Sequence, residues 1–441
     1  MVLIRALAPA LLVLTACNQS LFSNGDNGGG SGDGGNGGDG GGGGDGGEVP
    51  TSCTAPCIVD AGGDFNGSPG GANDRWRYLE DNRNRTWTPM TPSGGGFVGV
   101  DSANSITSCS ERPSASGCTE LPGALLLSSA GGTGAADPAI ELTVPGPDQV
   151  VQLSLRVRAT SNQAVRLYRN SREDVLFAGV AMTGTTLEHT LTFDALAGDR
   201  ILFALTPSAS GAEDVAVQLF VSESGEAFPK HCQVALSFEQ APGDTVPDAC
   251  GSAWTHIDFT TEEPSMPSLV AGPFPELGQA LDIPTNRYLL GPGVLQRPGD
   301  FTVQMWVQSD AVNSIQSYGN WVFSDYDLDF GGGLGFVIYD PGTISAEIGT
   351  CTDPNTLEFV TGMAAYPNDH AWHFVRIAHT GGTVSMCLDG RKLTSFAAAA
   401  GSLQSMYAPK IGRNGKWTPV VAEMDGKVDD VRVFDVALPC E

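Results

Sequence analysis

Four sets of side chains in this 441-residue chain could do chemistry. Cys17 closes the stretch Leu14-Thr15-Ala16-Cys17 and offers a nucleophilic sulfur that can form a thioether. Arg75, Trp76, Tyr78 and Trp87 interleave basic and aromatic residues in an otherwise acidic chain. Flat aromatic faces can stack on the C–H surface of a sugar ring while arginine reaches its hydroxyls, so these four are candidate glycan-binding residues. Asp325, Asp327 and Asp329, and the pair Asp429–Asp430, supply the hard oxygens that calcium prefers. The remaining cysteines are candidates for disulfides.

The context of Cys17 says what its sulfur is for. Met1–Ala16 carries one positive charge, Arg5, and then an apolar run through Val13. That run is too short to span a bilayer and fits the core of a secretory signal. The ending resembles a bacterial lipoprotein signal, in which the Cys takes a diacylglycerol, becomes the first residue after cleavage and is then acylated on its amine. The resemblance implies lipidation of Cys17, attachment to a membrane through the lipid, and a bacterial cell-envelope location at the outer membrane or cell surface. Asn18, where a retained protein would carry Asp, favours the outer destinations. Burying acyl chains at about 0.8 kcal/mol per methylene makes such an anchor effectively permanent.

Residues 17–50 form the next segment. Asn24 to Gly47 is glycine broken by Asp, Asn and Ser, with no apolar side chain to offset the entropy of ordering. It is expected to be a disordered tether with an r.m.s. span on the order of 25–30 Å. Signal (1–16) and tether (17–50) leave room for two globular domains of ordinary size, expected at 51–230 and 231–441. The formal charge of −27, from 23 basic and 50 acidic residues, argues against a nucleic-acid partner.

Nine of the ten cysteines remain after Cys17, and an exported chain is expected to oxidise them. Cys53 with Cys57 and Cys109 with Cys118 are expected as local loops, Cys351 with Cys387 within the C-terminal domain, and Cys232 with Cys440 across its first and last strands. Cys250 is then left over, although spacing alone does not fix connectivity. No Cys/His spacing reads as a zinc site.

The positioning elements are strands. Val151-Gln152-Leu153-Ser154-Leu155-Arg156-Val157-Arg158 alternates apolar and polar without a break, so one face is buried and the other wet. Similar runs stand at Ala164–Tyr168, Thr186–Phe193, Arg200–Leu205 and Val215–Val221, separated by Gly, Pro, Asn and Asp. This rhythm predicts an all-β chain of two antiparallel β-sandwiches. The first, through its strand pattern and the phrase Ala195 to Phe203, resembles jelly-roll modules of bacterial surface proteins, which include carbohydrate-binding modules.

The C-terminal segment resembles a laminin G-like, concanavalin A-type jelly roll. The residues that carry this are Val234–Glu239, Gly278-Gln279-Ala280-Leu281, Phe301–Val307, the hairpin Trp372–Ile377 with Gly382–Gly390, Ile411-Gly412-Arg413 and Gly426–Leu438. Such domains bind glycans, proteins or lipids, often through calcium held by carboxylates near the second strand and the closing strand. Where many members carry Asp near the second strand, Pro284 and Arg287 stand here, while Asp429 and Asp430 remain at the closing strand. The Asp325–Asp329 cluster starts like a calcium loop, but Phe330 replaces the turn glycine and Phe336 the bidentate Glu, so it is not an EF-hand. Calcium is therefore the one cofactor expected.

Glucanases of the same fold use Glu-x-Asp-x-x-Glu on one strand. The nearest stretch here, His256-Ile257-Asp258-Phe259-Thr260-Thr261, keeps Asp258 and lacks both glutamates. No nucleophile elbow, zinc-protease helix or phosphate loop is present in the sequence. The expectation is a non-catalytic, anchored binding or adhesion protein that recognises glycan or a surface protein. A structural or assembly component of the envelope is the alternative, and a glycan-active hydrolase a further one.

Overall fold

The computed structural model describes residues 57–65, 75–81, 87–100, 102–130, 136–206, 213–239, 243–295, 297, 299–310, 319–325, 333–339, 342–353, 356–367, 369–398, 407–414 and 424–440. Cys17, the tether, Cys53, Asp327 and Asp329 lie outside the described residues. Among the described residues the chain is almost entirely β, arranged as four antiparallel sheets.

The first sandwich pairs an eight-stranded sheet with a six-stranded one. Its core follows directly from the alternation in the sequence. In Gln149–Ala159 the residues Val151, Leu153, Leu155 and Val157 enter the core and meet Val165, Leu167, Ile201 and Phe203 from the other sheet. Gln149–Ala159 is flanked on both sides, by Thr186–Ala195 and by Glu213–Glu223. The edge strand Val175–Ala181 was not expected, because VLFAGVA is apolar throughout and shows no period of two. Gly179 in it lies tight against Phe177: a Cβ there would come within 2.6 Å of the outer end of that ring, which would have to shift.

The second sandwich pairs an eight-stranded sheet with a nine-stranded one around one large core. Phe301, Val303, Met305 and Val307 point into it, and Thr302, Gln304 and Trp306 point to the opposite face of the same strand. The closing strand Gly426–Phe434 lies in the middle, bonded to Phe301–Ser309 on one side and to Gln279–Ile283 and Cys232–Leu236 on the other. It carries a β-bulge. Gln304 is opposite Arg432 and Trp306 opposite Asp429, so Asp430 and Val431 share the space opposite Met305. Val428, Val431 and Val433 stay in the core, and the extra residue, Asp430 at φ 45°, leaves two consecutive aspartates off the core face.

The disulfides are Cys109–Cys118, Cys232–Cys250 and Cys387–Cys440, and Cys57 is also disulfide-bonded. Two expected pairings are therefore corrected, and Cys250 is not left over. In Thr383–Leu388 the core takes Val384, Met386 and Leu388, which turns Cys387 to the outer face, where the C-terminal segment passes. Cys351 belongs to Thr343–Asp353 in the opposite sheet. Val234 and Leu236 face the core, and a β-bulge between Cys232 and Val234 breaks the alternation, so Cys232 packs with Ala235 and Phe434 on the outer face and bonds Cys250.

The two sandwiches are tightly joined. The Asp194 carboxylate accepts from the backbone N–H of Lys230, His231 and Cys232, which pins the connection at the point where the second sandwich begins. The turns of the first sandwich around Asn170–Asp174 and Leu196–Asp199 meet the outer face of the eight-stranded C-terminal sheet. There Arg376 pairs with Asp174 and donates to the Val175 carbonyl at 2.7 Å, and Gln304 donates to Asp174 at 3.1 Å. Arg432 forks onto both oxygens of Asp199 at 2.9 and 3.1 Å, and Arg169 lies 4.8 Å from the centre of the Phe434 ring. Leu196 packs beside Cys232, Phe434 and Leu438. Arg169, Asp174, Asp199, Arg376, Asp430 and Arg432 are all buried.

Candidate functional sites

The aromatic and basic residues of the 75–87 segment do not come together. Trp76 and Tyr78 face the core of the first sandwich: the Trp76 indole N–H donates to Asp64 at 3.2 Å, and Tyr78 stacks on Phe97 with ring centroids 4.2 Å apart. Burial, and then the charge of Asp64, pushes the Tyr78 hydroxyl pKa up. Trp87 lies on the opposite face of the six-stranded sheet, beside Tyr168 and Leu202. Arg75 is exposed and donates to the Ile58 carbonyl at 3.2 Å. A strand of period two explains this: Trp76 and Tyr78 share a face and are taken by the core, whereas Trp87 arrives on the other face of the neighbouring strand.

The acidic candidates also separate. Asp325 is fully buried and ion-paired with Arg297, and its Oδ1 accepts the Leu334 N–H at 2.8 Å. Asp430 accepts from Arg432 Nε at 2.7 Å. Asp429 is different. Its Oδ1 accepts the Asp430 N–H at 2.8 Å, but its Oδ2 is buried with no hydrogen-bond partner. Burial, and then the charges of Asp430 and Glu239, raise its carboxyl to about 9.

The orphaned oxygen lies close to Gly272, with two carbonyl oxygens nearby. A Cβ placed on Gly272 would lie 2.9 Å from Asp429 Oδ2, 3.1 Å from the Gly278 carbonyl oxygen and 3.3 Å from the Leu277 carbonyl oxygen. Three oxygens thus crowd the side of Gly272 where any other residue would place its Cβ, and the Gly278 carbonyl among them also accepts the Gly272 N–H at 2.9 Å. Glu239 sits at the edge of this cradle, where its carboxylate lies against Gly278 and accepts the Gln279 N–H at 3.1 Å. A carboxylate oxygen without a donor, two carbonyls and a second carboxylate are oxygen donors of the hard type that calcium takes. Among the described residues no three of His, Cys, Asp and Glu converge, so carbonyls must complete any such shell.

A second polar cluster lies on the nine-stranded sheet of the C-terminal sandwich, on the face away from the core. Leu289 points inward, so its neighbour Tyr288 points out. Arg413 is sandwiched there, 4.0 Å from the Phe259 ring centre and 4.8 Å from that of Tyr288. Glu262 accepts from both Arg413, at 3.3 Å, and the Tyr288 hydroxyl, at 3.1 Å. Burial, first, raises the Tyr288 hydroxyl to about 12. Arg413 Nε is buried without a partner, as is Asn414 Oδ1 on the next residue. Sequence reasoning missed it; the only signal was Arg413 itself, a charge inside the closing motif.

A cleft of about 650 Å³ beside the C-terminal segment is lined by Asp300, Thr380, Lys392, Asp435 and residues 436–440, with no aromatic face.

These features define an all-β protein of two antiparallel sandwiches. Residues 284–441 match the laminin G family model described as the concanavalin A-like lectin/glucanases superfamily. Among solved structures, the chain is similar to the binding domain of botulinum neurotoxin serotype D, with 12% identity over 47% of this chain and 48% of that one and a TM-score of 0.33. The chain spans about half the length of that domain. It is similar to domain 4 of a GH43 extracellular arabinanase from Geobacillus stearothermophilus, seen with arabinotriose, at 14% identity, 47% and 94% coverage and a TM-score of 0.36. The carbohydrate-binding module CBM40 of the Ruminococcus gnavus IT-sialidase is 12% identical over 36% of this chain and 91% of that one, with a TM-score of 0.27. No curated protein matches the sequence.

Proposed function

We propose that this is a non-catalytic bacterial surface lipoprotein, moored through Cys17, that recognises glycan with the outward face of its nine-stranded C-terminal sheet around Arg413. The observation that carries the reading is the buried, unpartnered Arg413 Nε between the rings of Phe259 and Tyr288, with a second unpartnered atom, Asn414 Oδ1, on the next residue. Sugar recognition combines aromatic rings with fixed polar atoms, and the polar group of this cluster that solvent reaches is the exposed Glu262 carboxylate held by Arg413 and Tyr288. The match of 284–441 to a lectin/glucanase family supports it. A glycan array probed with the purified protein tests it. Binding that falls on Asn414→Ala, which breaks no intramolecular hydrogen bond of the Asn414 Oδ1 atom, supports the assignment; an array without a hit rejects a glycan ligand. Mass spectrometry of residue 17 in protein from its native host tests the anchor.

The same reading assigns calcium to the cradle of Asp429, Glu239 and the carbonyls of Leu277 and Gly278. The ion would supply the positive charge that lets the buried Asp429 ionise. It would also tie the 272–278 loop to the closing strand.

A further inference from the structure

The Asp429 carboxylate has two oxygens with two destinations. Oδ2 faces the cradle, and Oδ1 holds the backbone N–H of Asp430. Asp430 is the bulge residue at φ 45°, a backbone conformation that a non-glycine residue keeps only when its surroundings enforce it. Its side chain receives Arg432 Nε at 2.7 Å, and the two terminal nitrogens of Arg432 reach Asp199 in the other sandwich. Asp199 in turn closes two turns, accepting the Leu196 N–H at 3.0 Å and the Asn170 side-chain amide at 2.9 Å. One unbroken chain of polar contacts therefore runs from the cradle to the turns that grip the C-terminal sheet.

The charges along this chain are matched up to one residue. At the buried contact Arg169, Arg376 and Arg432 face Asp174, Asp199 and Asp430. Asp429 is the next carboxylate, with Glu239 beyond it and no guanidinium of its own. A divalent cation in the cradle would neutralise that excess and fix Oδ2. With Oδ2 fixed, Oδ1 is held on Asp430, and the bulge keeps Arg432 aimed at Asp199.

We propose that cation occupancy of the Asp429 cradle controls how firmly the two sandwiches hold each other, acting through Asp430, Arg432 and Asp199. The proposal rests on the calcium reading above. Its test combines titration calorimetry with calcium and hydrogen exchange of the full chain with calcium or with chelator. Calcium is expected to raise protection on the order of tenfold, a usual size for coupling between sites. The gain should appear in the 272–278 loop and also in the 170–176 and 196–202 turns of the other sandwich. Because coupling is reciprocal, weakening the contact with Asp199→Asn should weaken calcium binding, by at most the factor by which calcium tightens the turns. Arg432→Lys keeps the charge but loses the fork, and is expected to act in the same direction should Asp199→Asn fold poorly. Calcium that binds with protection confined to 239 and 272–279, and with affinity untouched by either variant, overturns the coupling and leaves the site standing. Absence of calcium binding overturns the site and the coupling with it.

Discussion

Two regions of this chain carry residues of the right type for a ligand, and their fates differ. In the 75–87 segment the polar atoms that resemble a sugar site already have partners: Trp76 on Asp64 and Arg75 on Ile58. Arg77 joins them, on Glu141 at 2.8 Å. At the closing strand, Asp430 is likewise satisfied by Arg432, yet Asp429, one residue away, keeps a buried oxygen with nothing to bind. Residue type nominates a site, and an unsatisfied buried group singles out one to test, because such a group is costly unless something completes it.

The sharpest way to break this comparison is to unbalance the satisfied region. Arg432→Leu strands the Asp199 and Asp430 carboxylates in a buried contact and is expected to cost about 3–5 kcal/mol in urea unfolding. A loss no larger than that of an exposed pair would mean that the contact is wetter than its burial indicates. Next in size is calcium. At a hundredfold excess over its dissociation constant it should stabilise by about 2.7 kcal/mol. Asp429→Ala should abolish that gain, read as a melting shift against chelator. Identical melts with and without the ion would put Asp429 in the same class as its satisfied neighbours.

Trp76→Phe keeps most of the apolar volume and removes the indole bond to Asp64, so about 1 kcal/mol of stability should be lost. Glycan binding should not change, since the ring faces the core; reduced binding would return the 75–87 segment to the site. The smallest effect concerns His373, whose ring nitrogens bond Asp389 at 2.8 Å and Asp369 at 3.0 Å. Burial lowers its pKa, but those two carboxylates outweigh burial and leave it raised. A raised histidine stabilises fully below its unfolded value of about 6.5 and loses that contribution as pH rises through the folded value. Urea unfolding from pH 5 to 9 should show this decline, and His373→Gln should flatten it.

Much of the fold was legible along the chain. Strict alternation located Gln149–Ala159, and the resemblance of Phe301–Val307 to a laminin G-like strand located Phe301–Ser309, and with them the two cores. The same period also held an unused clue. Counting inward residues in Thr383–Leu388 puts Cys387 on the outer face, which already argues against a bridge to the opposite sheet. Val175–Ala181 was missed because an edge strand rich in apolar residues carries no alternation to read. The Arg413 cluster and the Asp199–Arg432 contact had no local signal, since their partners stand 151 and 233 positions away.

The sequence by itself determined that this is an acidic, all-β chain and which face of most strands is buried, since side chains alternate from one backbone position to the next whatever the strand packs against. Tertiary structure alone decided which cysteines pair, how two sandwiches share one buried charge network, and which of two adjacent aspartates is left without a partner. Those outcomes depend on where distant segments meet, and on a one-residue bulge that sets two carboxylates side by side against different neighbours.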